Sequence, residues 1–341
     1  MDWINLILIP AIKALILVVV LLTGFAYLTL FERKLIGRFQ LRYGPNRAWR
    51  FGLGHPIADA LKMIFKEEIV PARADKLLYV IAPGLALAPA LLTFAVVPVG
   101  PTMNLFGLRV PFQVADVNIG FLWVLAVSSI GVYGIILGGF ASNNKYSLLG
   151  ALRTSAQTLS YELPMGILLI ALVLTTTLGT QDGFGTLRLN EIVTMNRPWW
   201  LWLWIWLAFP FYFITMLAET SRKPFDFPET ENELVCGYST EYGSIKFALY
   251  YMSEYLHMLG ASAVAVSVFF GGWRGPFVEQ FPILGLVYFV GKIMALLFLF
   301  IWASASVPRP RYDQLLKFCW TWLFPVALVY LAITAVIVTL V

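Results

Sequence analysis

The chain has 341 residues, 60% of them hydrophobic and only 13% charged, with a mean hydropathy of +0.78. Soluble domains carry about 25% charged residues, so this composition excludes a soluble globular enzyme and indicates a chain solvated mainly by lipid. The formal net charge of +5 reads as a topology signal and gives no support for a nucleic-acid partner.

A spanning helix needs roughly 20 apolar residues. Eight runs qualify: 4–31, 77–98, 119–141, 161–180, 198–218, 244–271, 281–306 and 318–341. They predict a single all-α, polytopic membrane domain over 1–341. The first run lacks a small-residue cleavage pattern, so it reads as a retained helix and not a signal peptide. The connection 32–76 opens on ERKLIGRFQLRYGPNR, a basic run closed by the Gly44-Pro45-Asn46 turn signal. Pro56 then starts PIADALKMIFKEE, where Ile57, Leu61, Ile64 and Phe65 recur at helical spacing and Asp59, Lys62, Lys66 and Glu67 take other positions. The segment is too short to span and predicts an amphipathic helix at the interface. Surface anchoring alone would also account for it.

In the third run, Gly131, Gly134, Gly138 and Gly139 predict close helix packing. Pro164, Pro210 and Pro325 fall inside runs and predict bends. Trp199, Trp200, Trp202 and Trp204 fit an interfacial aromatic belt. No internal repeat of the inverted-transporter kind is visible. Of the 24 basic residues, 18 fall in 32–76, 142–160, 219–246 and 307–317. The opposite loops hold Arg109, Arg188, Arg197 and Arg274, while Lys13 and Lys292 lie inside runs. This asymmetry predicts that the basic side is cytoplasmic, or the matrix in an organelle, and that both termini lie on the other side. The length and the absent presequence favour a bacterial inner membrane, with periplasmic termini, over a mitochondrial one.

The loop from Glu219 to Tyr242 concentrates six of the nineteen acids: Glu219, Asp226, Glu229, Glu231, Glu233 and Glu241. Carboxylates at a membrane boundary resist ionisation because leaving water disfavours the charged form. Such a row can take up and release protons near neutral pH; a solvated acidic loop is the alternative. The two-residue spacing of 229, 231 and 233 predicts extended backbone with three side chains on one side. Inside the membrane, Glu162 opens the fourth run and Glu254 lies in the sixth, one turn before His257 on the same helix face. Tyr250, Tyr251 and Tyr255 extend that polar line. These glutamates form a candidate chain of titratable groups running from the cytoplasmic boundary inward, although a neutral, hydrogen-bonded Glu254 would also fit.

The chain has no Gly-rich phosphate loop, no cysteine cluster and no paired histidines. Cys236 and Cys319 are far apart, and His55 and His257 are the only histidines. No metal site is expected, nor a nucleotide, flavin or redox-metal site in this chain alone.

Four segments stand in one order: ERKLIGRFQLRYGPNR, HPIADALKMIFKEE, AETSRKPFDFPETENELVCGYSTEY and PRPRYDQLLKFCW. In these the chain resembles, over its whole length, the H-type membrane subunit family of proton-pumping NADH:quinone oxidoreductase, respiratory complex I. The mitochondrial members are called NADH dehydrogenase subunit 1. The resemblance implies a membrane subunit beneath a hydrophilic redox arm, enclosing much of a quinone chamber and coupling quinone reduction to proton translocation. It implies that Glu32, Arg33, Asp59, Ala60 and Lys62 frame the quinone entrance and that Arg222 borders the chamber. Glu162, Glu219, Asp226, Glu229, Glu231, Glu233, Glu241 and Glu254 then match the family's acidic path. Quinone is the implied substrate, with FMN and iron–sulfur clusters in partner subunits. The implied partners are other membrane subunits, hydrophilic quinone-site subunits including an iron–sulfur subunit, and lipid. Three departures stand out: His55 where Gln is expected, Thr321 where relatives often carry Lys, and no glutamate in the third run. Two other classes compete: the equivalent subunit of a membrane-bound hydrogenase or ferredoxin-linked plastoquinone complex, and a free-standing secondary transporter.

Overall fold

The computed structural model describes residues 9–105, 108–179, 185–228 and 230–340. Long helices dominate it: α1 (Ile9–Phe39), α3 (Lys76–Thr93), α4 (Gly120–Ala141), α5 (Lys145–Leu174), α7 (Trp199–Glu219), α9 (Ser244–Phe269), α10 (Ile283–Ser306) and α12 (Phe324–Leu340). Shorter helices are α2 (His55–Phe65), α6 (Leu189–Thr194), α8 (Glu231–Leu234) and α11 (Tyr312–Phe318). An antiparallel hairpin, β1 (Gly100–Leu105) and β2 (Leu108–Phe112), interrupts the helices on the lightly basic side. Among the described residues, seven helices are long and apolar enough to cross a membrane. They correspond to seven of the eight predicted runs. The other run folds as the 26-residue α9, which has spanning length but carries Glu254 and His257 in its interior.

Helix ends depart from the hydropathy runs where polar residues continue a helix. α5 starts at Lys145, well before the run at 161, and Asn144 caps it by accepting from the Tyr146 N–H at 3.0 Å. The added turns bury Ser147, Gly150, Ala151, Thr154 and Gln157 against protein, which leaves no continuous apolar signal. Glu162 therefore sits in mid-helix and does not open a span. Likewise α1 continues to Phe39, so Glu32 and Arg33 lie on its last turns. Near the last predicted bend, a π-helical turn, Cys319–Leu323, joins α11 to α12 just before Pro325, whose ring provides no N–H for the helical ladder.

The bundle is tied by glycine contacts. A Cβ at Gly134 would overlap the Ala86 backbone, and one at Gly139 would overlap Ala151 and Ser147. Thus α4 sits tightly against both α3 and α5, while α9 packs on α3, and α7 and α12 pack on α5. A large core of Leu, Val, Phe and Ala forms around α9, with Leu256, Ala263, Val266 and Phe269 fully buried. The loop 220–243 folds back against the basic-side ends of α4, α5 and α9.

Candidate functional site

Arg222 is the centre of the site. It follows α7, and its side chain is 15% exposed. Its Nη1 lies 3.7 Å from Glu32 Oε1 on α1, and its guanidinium sits 3.8 Å from the Tyr255 ring centroid on α9. Arg222 Nε and Nη2 and Glu32 Oε2 are buried with no hydrogen-bond partner. Burial works against the Arg222 charge, but Tyr255, Glu32 and Glu254 together outweigh it and raise the group's proton affinity. Arg222 therefore stays a cation held against Tyr255 and Glu32, with Nε and Nη2 lacking a geometric hydrogen-bond partner among the described residues. The Tyr251 and Tyr255 hydroxyls lie 2.9 Å apart beside it, and Phe25 of α1 packs edge-on against both rings.

Around this centre, α2 is fixed at the interface. Arg33 Nη1 donates to Asp59 Oδ2 at 2.8 Å, joining α1 to α2. The Ser244 hydroxyl donates to the Met63 and Lys66 carbonyls at 3.0 and 2.8 Å, joining α2 to the start of α9. Ala60 and Lys62 are exposed on α2. His55 starts the helix with a buried Nδ1 that has no partner.

From Arg222 a polar line runs inward. Glu254 Oε1 accepts from the Tyr238 hydroxyl at 2.9 Å. The sequence pairs Glu254 with His257, but the structure gives Glu254 to Tyr238 and engages His257 with the Ala86 backbone. Both still line one cavity of about 40 Å³, together with Ser128, Gly131, Thr158, Glu219 and Ser253. A second cavity of about 30 Å³ shares Ser128, Glu219, Thr220 and His257 with the first. A water needs about 10–15 Å³ of such space and two or more polar partners, so each cavity has room for water. Glu219 lies beside Ser128, whose hydroxyl donates to the Leu125 carbonyl at 3.0 Å, and within electrostatic reach of Glu162. Glu162 in turn meets Ser129, and its Oε1 is buried without a partner.

The other acids divide. Asp226 is held by Arg309 Nη2 at 2.9 Å. Glu241 Oε1 accepts from Asn144 Nδ2 at 2.6 Å, and its carbonyl accepts from the Tyr79 hydroxyl at 2.8 Å. Glu229 lies outside the described residues. Glu231 and Glu233 stand on α8, a single helical turn, so the extended backbone expected from their spacing is corrected: Leu234 is drawn into the core and the chain coils to place it. The Glu231 side chain lies outside the described part of the turn, and Glu233 is a surface group paired with Arg153.

Sequence reading passed over Ser128, Ser129 and Tyr238. The two serines interrupt the apolar third run, a detectable signal. Tyr238 gave none, because only the fold of the loop brings it to Glu254. It belongs to a tyrosine ladder: Tyr79 stacks on Tyr242 at 4.3 Å, Tyr242 meets Tyr250 edge-on at 4.9 Å, and Tyr250 meets Tyr238 at 5.1 Å. Burial, above all, pushes Tyr242 up to about 12, so its phenol keeps its proton. No cluster of three or more His, Cys, Asp or Glu able to hold a metal occurs among the described residues.

The family model described as NADH dehydrogenase matches residues 12–335. The chain belongs to this family, the H-type membrane subunits of NADH-quinone oxidoreductase. Its relatives include NADH-quinone oxidoreductase subunit 8 of Thermus thermophilus, 50% identical over 97% of this chain and 87% of the relative. The H-type NADH-quinone oxidoreductase subunit of Protochlamydia amoebophila is 46% identical over 92% of each chain. That of Thermomicrobium roseum is 45% identical over 99% of this chain and 98% of its own. This chain is thus a membrane subunit of an enzyme complex.

Proposed function

We propose that this chain walls a quinone chamber and couples quinone reduction to proton translocation through Glu254, Glu219 and Glu162. Arg222 carries the reading: an enclosed cation with two nitrogens unpartnered among the described residues touches Glu32 and Tyr255 and acts electrostatically on Glu254. Such a group suits the polar head of a quinone. Electrons come from flavin and iron–sulfur groups in partner subunits, so this chain supplies binding, orientation and proton handling. Reduction to quinol takes two electrons and two protons. Negative charge arriving beside Arg222 weakens its hold on Glu254 and raises the carboxylate's proton demand. Glu254, the shared cavities and Glu219 then give protons a route to Glu162 between α4, α5, α7 and α9.

On the same reading, Asp59, Ala60 and Lys62 on α2 and Glu32 and Arg33 on α1 frame the entrance for a quinone arriving from the bilayer. The names of the relatives favour this over the hydrogenase-type and transporter readings. We also propose α9 as an eighth span enclosed by protein, the basic loops on the cytoplasmic side and both termini outside.

The test is Glu254→Gln in the assembled complex. Quinone reductase activity and proton pumping should fall together by about tenfold or more, the effect of losing roughly 1.4 kcal/mol of coupling. NADH oxidation by an artificial acceptor at the flavin should stay intact. Normal quinone activity and pumping in that variant would overturn the proposal.

A further inference from the structure

On the lightly basic side, three of the six cations outside the basic loops converge on one loop. Lys292 of α10 points its Nζ at the carbonyls of Phe270, Gly272 and Arg274, each at 2.8 Å. Arg274 donates to the Met195 carbonyl at 2.7 Å and to Asn196 Oδ1 at 2.6 Å. Arg197 sits over the Trp202 ring at 5.3 Å and reaches the Val268 and Ile192 carbonyls at 3.4 Å. None of the three forms an ion pair among the described residues, and Arg197 Nε is buried with no partner. Burial first, and the charge of Arg274 second, lower Arg197 to about 10, so it remains a cation at neutral pH. The three basic side chains thus stand together with dipoles, but no ion-paired carboxylate among the described residues, to balance them.

Beside them opens a pocket of about 610 Å³ lined by Trp199, Trp202, Leu203, Trp206, Phe270 and Lys292. Trp199, Leu203 and Trp206 are exposed apolar surface there. Tryptophan rings prefer the headgroup level of a bilayer, with acyl chains just below. Positive charge is scarce on this side of such proteins, which makes the convergence informative. An uncompensated cationic group above an aromatic groove matches a phosphate above an acyl chain.

We propose that this pocket seats an anionic phospholipid of the outer leaflet, its phosphate facing the Arg197–Arg274–Lys292 group and one acyl chain lying on Leu203 and Trp206. The three cations also clasp the loop 270–274 to α10 and to the residues before α7, so the bound lipid neutralises the clasp that holds the outer ends of α7, α9 and α10 together.

The test places a photoreactive side chain in the groove, Leu203→p-benzoylphenylalanine, in the complete complex in its native membrane. After illumination, the adduct on this chain is identified by mass spectrometry. The expected product is a glycerophospholipid adduct in which phosphatidylglycerol or cardiolipin is enriched about fivefold or more over its share of the membrane extract, the effect of about one nearby cation. Adding Arg197→Gln should lower that enrichment, with Arg274 and Lys292 still attracting the phosphate. Adducts of bulk composition without the second substitution would overturn the proposal. Cross-linking to a neighbouring subunit would overturn it too, by showing that protein covers the groove. The first comparison is made with all three cations intact, so a folding defect in the Arg197 variant leaves the proposal testable.

Discussion

At the residue scale, the site turns on how one arginine and three glutamates are held. Tyr238 gives Glu254 a side-chain hydrogen bond that fixes one oxygen, at 2.9 Å. Tyr238→Phe keeps the ring contact with Tyr250 and removes only the donor. Hydrogen bonds to charged groups contribute about 1.5–3 kcal/mol, so proton-coupled quinone reduction should slow by on the order of tenfold, with flavin-site oxidation unchanged. Steady-state rates with quinone and with an artificial acceptor check it. Gly131 makes a second point: a Cβ there would lie 3.0 Å from His257 Nε2. Gly131→Ala should therefore push His257 into the water-sized cavity and lower pumping without reaching Arg222. Proton uptake in reconstituted vesicles, compared with quinone affinity, separates those effects. Much of the site is legible in the sequence. Glu162, Glu219 and Glu254 are rare charges in apolar surroundings and stand out in any hydropathy reading. Tyr238 and the role of Arg222 are not legible by pattern, because their partners lie on other elements and only chain reversal in the loop 220–243 brings them in.

At the element scale, spacing predicts the start of α2 within a residue, because apolar periodicity and Pro56 at the helix start are local signals, while the helix stops at Phe65, three residues before the end of the segment read from the sequence. Periodicity misleads at α8: acids at every second position read as a strand, but an interior site for Leu234 makes a helical turn cheaper. The α2 helix yields a direct test of the entrance. Ala60 is exposed, so Ala60→Phe should fold normally and raise the apparent KM for long-tailed quinone severalfold more than for a short-tailed analogue. Equal effects on both would contradict a constriction by α2. The α3–α4 seam offers a stability test. Gly134→Val drives a branched side chain into the Ala86 backbone and should cost about 3 kcal/mol or more, seen as loss of assembled complex. Gly291→Ala, with nothing within 4 Å, should assemble as the parent does.

For the whole molecule, composition and the eight apolar runs are enough to predict an all-α membrane bundle, since lipid forces every backbone polar group into internal pairing. The extra turns of α5 and the β1–β2 hairpin escape because both are built from short-range polar pairing that hydropathy averages away. What the bundle adds is convergence: α4, α5, α7 and α9 bring Ser128, Thr158, Glu219 and Glu254 to the walls of two cavities of about 30 and 40 Å³, with Glu162 in electrostatic reach of Glu219. Such groups are costly at membrane depth, and a structural role would be served better by apolar packing. The most direct measurement is the rate of NADH-driven proton translocation, beside the rate of quinone reduction, in sealed vesicles carrying the Glu219→Gln complex, with assembly verified. This account predicts that pumping falls by about tenfold or more, together with quinone reductase activity, while flavin-site activity persists. A fully assembled Glu219→Gln complex that pumps and reduces quinone at the parental rates would contradict it.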